Sequence, residues 1–205
     1  MVAIVDYGVG NLFSLSSSFA AIGFEAVVTG DAEVLRKADR ILLPGVGAFS
    51  DAIAKLRETG LVPVIMEEAQ KGKPLLGICL GMQLLFDKSF EYGEYDGLGL
   101  IPGKIRPISD VISKDLKIPH IGWNALHFSE KRSEIFKYLK EQDYVYFVHS
   151  FYGADCDEFV TATTEYSVPL TAAVQNNNVY GCQFHPEKSG DVGLKILRAF
   201  CELEA

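Results

Sequence analysis

The first half of the chain alternates short apolar runs with segments whose apolar residues recur at helical spacing. The apolar runs are bounded by turn-forming residues and predict buried strands at residues 2–6, 25–28, 40–43 and 74–78. The segments between them predict helices at residues 12–22, 31–37, 50–59 and 63–70. Asn11 and Asp31 are in position to cap the first two helices. This alternation predicts an α/β fold with a mainly parallel central sheet flanked by helices.

The second half has a different pattern. It predicts strands at residues 104–108, 118–126, 144–148 and 159–164, with one clear helix among them at 131–139. Strands without long intervening helices favour an antiparallel or mixed extension of the parallel sheet. The acidic, Gly- and Tyr-rich segment 87–97 is typical of a loop, and a strand at 179–184 and an amphipathic helix at 192–202 follow. No repeat or linker divides the chain, so we expect one domain over residues 1–205.

Composition narrows the class of protein. The 205 residues are 48% hydrophobic and 22% charged, as in an ordinary globular protein, and the net charge of -8 argues against general nucleic-acid binding. The four cysteines and four histidines are dispersed, which argues against a metal site or a disulfide framework. No signal-peptide pattern or membrane-spanning run is present in the sequence. We therefore expect a cytoplasmic protein with free thiols and no metal or other cofactor.

The run Gly77-Ile78-Cys79-Leu80-Gly81 has the form of a nucleophile elbow, in which a strand turns sharply into a helix. At the first turn of that helix, free N–H groups and the helix dipole favour a thiolate at Cys79. The N–H of Leu80 is in position to receive a developing oxyanion. The pattern is short, and a buried structural cysteine is the alternative.

A base for that cysteine is offered by His185, which follows the strand at 179–184 directly. Glu187, two residues later, can project to the same side and orient the imidazole. Cys79, His185 and Glu187 would then be nucleophile, general acid/base and orienter. A strand-end histidine and a solvated surface acid are ordinary on their own, but the three residue types together favour a catalytic triad.

A glycine-rich loop, PGVG at residues 44–47, follows the third predicted strand. Its backbone N–H groups, including those of Gly45 and Gly47, would lie at the carboxyl edge of the parallel sheet, where such folds bind ligands. Binding of an oxyanion or a carboxylate is the functional interpretation, and an ordinary tight turn is the alternative.

Seven motifs are distributed along nearly the whole chain: VDYGVGNL at 5–12, LPGVGAF at 43–49, GICLGMQ at 77–83, GLGLIPG at 97–103, PHIGWN at 119–124, YFVHSF at 146–151 and FHPEKS at 184–189. In this order they resemble the class I (triad) glutamine amidotransferases. Within that family they are most similar to the glutaminase subunits of imidazole glycerol phosphate synthase. The resemblance implies a flavodoxin-like fold with a mixed, mainly parallel sheet.

The resemblance also implies a reaction. Cys79 would attack the side-chain amide of glutamine and form a glutamyl thioester, with His185 and Glu187 completing the triad. The ammonia would pass to a (βα)8-barrel cyclase subunit in a heterodimer. That partner would produce imidazole glycerol phosphate and aminoimidazole carboxamide ribotide for histidine biosynthesis.

Further residues match family positions and are implied only by the resemblance. Those that would contact glutamine or the oxyanion are Gly45, Gly47, Leu80, Gln83, Ser150 and Phe151. Those at the subunit interface would be Asn11, Trp123 and Lys188. Glu91 and Glu94 could bind the substrate ammonium, although a solvated loop is the favoured interpretation for both. The glycines of the PGVG loop would let a peptide flip when the partner binds.

Three alternatives remain open from the sequence. A paralogous amidotransferase subunit that feeds another synthase, for example one amidating a surface sugar, would keep every motif. A stand-alone cysteine hydrolase would be active without a partner. A non-catalytic regulatory subunit should have a broken triad, and the sequence at 79, 185 and 187 is intact.

Overall fold

A computed structural model describes residues 1–204 of the protein. The helices are α1 (Leu12–Ala21), α2 (Ala32–Lys37), α3 (Phe49–Glu58), α4 (Val62–Gln70), α5 (Leu80–Leu84) and α6 (Gly190–Cys201). The parallel strands are β1 (Val2–Val5), β2 (Ala26–Thr29), β3 (Arg40–Leu43), β4 (Leu75–Ile78) and β14 (Val179–Cys182). All five lie within two residues of their predicted bounds, because each is a short apolar run between turn-formers.

An eight-stranded sheet has the order β2-β1-β3-β4-β14-β13-β12-β9. Its last three strands are β13 (Pro169–Asn176), β12 (Val160–Glu165) and β9 (His127–Phe128), and they pair in antiparallel fashion. The α/β class and the antiparallel extension are therefore confirmed. The central pair matters most for the site, since β14 runs parallel to β4 with Cys182 opposite Ile78. The residues that follow these two strands therefore emerge side by side at one edge of the sheet.

The predicted strands of the second half do not all join this sheet. A four-stranded sheet of order β11-β7-β5-β6 consists of β5 (Phe86–Ser89), β6 (Tyr95–Asp96), β7 (Ile101–Pro107) and β11 (Phe151–Ala154). A separate pair consists of β8 (His120–Ala125) and β10 (Tyr144–His149). The interpretation of residues 87–97 as a loop is thus partly wrong. Lys88 and Ser89 pair with Asp96 and Tyr95 to form a short hairpin there.

The helix predicted at residues 131–139 is wrong: this segment contains only a 3₁₀ turn, Glu134–Phe136. The Arg132 side chain gives the physical reason. It donates hydrogen bonds to the carbonyls of Phe136 and Leu139, at 2.6 and 2.5 Å, and so holds the segment as compact turns. The apolar residues that suggested a helix, Ile135 and Phe136, are buried all the same.

Apolar side chains cover both faces of the eight-stranded sheet, and successive residues of β1 alternate between them. One face packs against α2, α3 and α4, and the other against α1 and α6. Asp31 caps α2 as predicted, with its carboxylate accepting the Glu33 N–H at 2.7 Å. Asn11 precedes α1, but within residues 1–204 its side chain makes no capping bond, so that prediction is wrong. None of the helices in these residues has the length and hydropathy to cross a membrane.

Candidate active site

Cys79 lies in the sharp turn between β4 and α5. Its backbone has φ 54° and ψ -112°, a conformation that is strained for any residue with a side chain. The flanking glycines make the turn possible. A Cβ on Gly81 would lie 2.0 Å from the Leu43 carbonyl oxygen, and one on Gly77 would lie 2.7 Å from the Gly81 carbonyl oxygen. The strand-turn-helix elbow predicted around Cys79 is therefore present, and glycine is required on both sides of it.

His185 reaches the same edge of the sheet from β14. Its backbone N–H donates to the Tyr146 carbonyl at 3.0 Å, which fixes the segment against β10. Its Nδ1 lies 2.8 Å from Glu187 Oε1, and the two side chains are only 2% and 1% exposed. Because a carboxylate accepts hydrogen bonds, Nδ1 carries a proton, and Nε2 is the nitrogen left for Cys79, which lines the same pocket.

The electrostatics of the three residues favour a charged imidazole. Burial alone would lower the pKa of His185, but hydrogen bonds to Cys79 and Glu187, and their negative charges, raise it to about 9. The arrangement therefore favours an imidazolium beside the sulfur, with Glu187 behind it. A positively charged imidazole is the kind of neighbour that favours a cysteine as nucleophile.

A cavity of ≈ 340 Å³ opens beside Cys79. This volume is in the range of sites for small ligands. Most of the predicted site residues line it: Gly47, Cys79, Leu80, Gln83, Ser150, Phe151, His185 and Lys188. Leu80 is the first residue of α5, so its N–H belongs to those without a partner inside the helix. A free backbone donor is thus available next to the Cys79 sulfur.

Four predicted residues do not line this cavity. Glu187 lies behind His185, and Gly45 lies beneath the elbow, where an added Cβ would be 2.5 Å from the Gly81 nitrogen. Gly45 is therefore required for close packing. Asn11 precedes α1, and Trp123 lies on β8 with its side chain half exposed. The last two were expected at an interface and are outside the pocket.

A model of the family described as "Glutamine amidotransferase class-I" matches residues 3–202 of the chain. The chain belongs to the class I glutamine amidotransferases.

Close relatives narrow the family further. The chain is 49% identical to imidazole glycerol phosphate synthase subunit HisH of Lactococcus lactis, over 98% of each chain. It is 47% identical to the subunit of that name from Caldanaerobacter subterraneus, over 99% of this chain and 98% of the relative. It is 50% identical to the HisH subunit from Aquifex aeolicus, over 96% of this chain and 94% of the relative. Within the amidotransferase family, the chain therefore belongs to the HisH group.

Solved structures support the fold. One titled "Crystal structure of glutamine amidotransferase" superimposes with a TM-score of 0.76 at 19% identity and covers 98% of both chains. The "Structure of PurLQS from Thermotoga maritima" has a TM-score of 0.76 at 22% identity, over 98% of this chain and 96% of that one. These two neighbours are distant in sequence and show that the chain has the amidotransferase fold.

Gln83, which lines the pocket of this amidotransferase, contacts a second, fully buried glutamine. Gln83, which was predicted, donates through Nε2 to the carboxamide oxygen of Gln183 at 3.0 Å and to the Phe151 carbonyl at 3.4 Å. Gln183, which sequence reasoning missed, directs its own Nε2 toward the Cys79 sulfur at 3.7 Å. Its position two residues before His185 was the only sequence signal, since residues i and i+2 of an extended segment share a side.

A pair of buried histidines was also missed. His149 lines the pocket and donates through Nδ1 to the Phe151 carbonyl at 2.8 Å. Its Nε2 lies 3.0 Å from Nδ1 of His120. Burial lowers the pKa of His149 to about 4, because the charged form would lie in a dry environment close to His120 and His185. His149 is therefore neutral near pH 7 and supports the segment that carries Ser150 and Phe151.

The acidic loop after the elbow helix contributes Tyr92 and one acidic residue, Glu91, to the pocket. Its Oε2 accepts the Phe49 N–H at 2.8 Å, and the residue is only 8% exposed. Burial raises the pKa of Glu91, although the Phe49 bond acts in the opposite direction. Glu94 instead pairs with Lys88 at 2.5 Å on the surface. The favoured interpretation of a solvated loop is thus correct for Glu94 and wrong for Glu91.

Proposed function

We propose that this chain hydrolyses glutamine with Cys79 as nucleophile, His185 as general acid and base, and Glu187 as the residue that orients His185. It acts as the glutaminase subunit of imidazole glycerol phosphate synthase and supplies ammonia to a cyclase subunit. One observation carries the proposal: a strained elbow cysteine lines the same pocket as His185, whose imidazole is held by the buried Glu187.

The chemistry follows from the positions of these groups. The Cys79 thiolate attacks the side-chain carbonyl carbon of glutamine, and the carbonyl oxygen becomes an oxyanion beside the Leu80 N–H. His185 donates its Nε2 proton to the departing nitrogen, so ammonia leaves and a glutamyl thioester remains. Neutral His185 then accepts a proton from water, whose oxygen attacks the thioester. Glutamate departs and the Cys79–His185 pair returns to its first state.

Substrate binding uses the other side of the cavity. The Gln83 amide nitrogen is occupied by Gln183 and Phe151, so its oxygen is the atom available to the substrate. Glu91 is the carboxylate that would pair with the α-ammonium group, because one of its oxygens is already fixed by Phe49. Backbone groups of Ser150 and Phe151 would hold the amino-acid end of glutamine.

The partner is a (βα)8-barrel cyclase subunit that docks beside the pocket as a heterodimer. An apolar surface on the β8–β10 pair supports this, with Ile121, Trp123 and Tyr144 each more than half exposed. The Trp123 ring contacts Tyr146 edge-on, and Lys188 lies over the same Tyr146 ring while also lining the pocket. Exposed aromatic side chains are typical anchors of interfaces. Asn11 would contribute from the start of α1.

Activation by the partner would act on the PGVG loop. Gly47 has φ 95°, a left-handed conformation that glycine adopts without strain, so a change of backbone conformation costs little there. Gly45 packs tightly under the elbow. The conformational freedom of the loop is therefore at Gly47, and we expect the free subunit to be a poor glutaminase.

The test is glutamate release from glutamine by this protein alone and with the cyclase subunit and its ribulosyl ligand. The proposal expects little turnover alone and a large rise with both. Cys79→Ala should abolish glutamine-dependent synthesis and leave ammonia-dependent synthesis by the cyclase intact. No rise would point to a different synthase, and fast turnover alone would point to a stand-alone hydrolase.

A further inference from the structure

Gln183 is a polar side chain with no exposed surface, and the steps above do not use it. Burying a carboxamide is costly unless its hydrogen bonds are made. Here both ends are engaged, the oxygen with Gln83 at 3.0 Å and the nitrogen with the Cys79 sulfur at 3.7 Å. Gln183 is therefore the link between the substrate-facing glutamine and the reactive cysteine.

A backbone carbonyl, that of Phe151, fixes the orientation of the two carboxamide groups. Phe151 O can only accept, so the Gln83 atom that faces it must be the amide nitrogen. That nitrogen also faces Gln183, which must therefore present its oxygen to Gln83. The remaining end of Gln183, its NH₂ group, then has to point at Cys79. His149 supports the same carbonyl with its own N–H at 2.8 Å.

The groups around the sulfur differ in which form of Cys79 they favour. The Val148 carbonyl oxygen, 3.9 Å from the Cys79 sulfur, can only accept a hydrogen bond, which requires the protonated thiol. His185 and the Gln183 NH₂ group can donate to a thiolate, and such charge-assisted bonds are stronger than neutral ones. Resting on the proposed role of Cys79, we propose that Gln183 is a positioning residue that stabilises the Cys79 thiolate by hydrogen bonding while fixing the carboxamide of Gln83 for substrate.

The test uses the full chain and two substitutions of similar size. Gln183→Met removes the donor, and Gln183→Glu replaces it with a negative acceptor. The rate of Cys79 alkylation by iodoacetamide is followed against pH by peptide mass spectrometry. We expect the alkylation midpoint to move to higher pH in both variants, more for Glu than for Met, with about a tenfold lower rate at pH 7 for Met. Gln175→Met, at a half-buried glutamine on β13, is the matched control and should leave the profile unchanged.

A folded Gln183→Met variant with the wild-type alkylation midpoint would overturn the proposal. If both variants fail to fold, the wild-type protein still decides. The side-chain ¹⁵N–¹H signals of Gln183 should shift as Cys79 ionises and should not shift with pH over that range in Cys79→Ala. Absence of the Cys79-dependent shift would also overturn it. Alkylation of Cys79 does not require glutamine turnover, so it tests the role of Gln183 independently of the glutaminase proposal. The glutaminase proposal is tested separately, by measuring whether Cys79→Ala still turns over glutamine.

Discussion

Glu187 holds the His185 imidazole through a 2.8 Å contact between Oε1 and Nδ1, while its other oxygen, Oε2, is buried without a hydrogen-bond partner in residues 1–204. A buried carboxylate with one free oxygen is costly in isolation. The positive charge that it favours on His185 offsets this cost. The pair therefore behaves as one unit that favours a proton on the imidazole.

Glu187→Gln tests this unit. An amide oxygen can still accept the Nδ1 proton, but the negative charge that favours the imidazolium is lost. We expect glutaminase kcat in the complex to fall by about 100-fold or more. Glu94→Gln, which changes an exposed carboxylate paired with Lys88, should have no such effect. Equal activity of Glu187→Gln and wild type would show that the charge is not needed.

The elbow backbone is tested by Gly81→Ala. A Cβ there would lie 2.0 Å from the Leu43 carbonyl oxygen, so β3 or α5 must move. We expect the free energy of unfolding to fall by about 3 kcal/mol or more. At Gly60, where φ is 71° and nothing lies within 4 Å, Ala should cost only about 1 kcal/mol. Similar urea midpoints for the two variants would contradict this account of the elbow.

The local sequence pattern is sufficient to predict the elbow, since Gly77, Cys79 and Gly81 lie within five residues and form a single turn. Such patterns are also sufficient for the parallel core. The strand β13 was missed because Pro169–Asn176 contains a proline, two alanines and an asparagine, which are depleted in strands. It is a strand because it pairs with β12 and β14, and this pairing is a property of the whole sheet.

The contacts between distant segments could not be predicted in the same way. Gln183 contacts Gln83 across 100 residues of sequence. The buried Glu91 accepts a hydrogen bond from the Phe49 N–H, 42 residues away. Each depends on the packing of segments that are distant in sequence. The wrong helix at 131–139 has the same origin, because the position of one side chain, Arg132, decides which carbonyls are satisfied.

The pH dependence of stability reports the state of His185. Burial lowers the pKa of His185, but the interactions of its imidazole with Cys79 and Glu187 raise this pKa to about 9. The stability that it contributes is fully present below its ordinary pKa, about 6.5, and is lost as the pH rises through 9. We expect urea unfolding to show a decrease of at most about 3 kcal/mol between pH 6.5 and 9. His185→Asn should remove most of this decrease, and an unchanged decrease would contradict the assignment.

Trp123→Ala tests the proposed interface. Because the side chain is 52% exposed, the isolated protein should keep its thermal stability. Binding to the cyclase subunit should weaken by about tenfold or more. Val28→Ala, on the outer strand β2 of the eight-stranded sheet, is the control and should bind normally. Unchanged affinity of Trp123→Ala would move the interface to another surface.

The proposed mechanism requires glutamine to form a covalent intermediate on Cys79. The most direct measurement is acid quenching of the protein during turnover of glutamine with the cyclase subunit and its ligand, followed by peptide mass spectrometry. A glutamyl group on the peptide that contains Cys79, absent from the Cys79→Ala variant, is the expected result. Glutamate release without any such adduct, together with turnover by Cys79→Ala, would contradict the account.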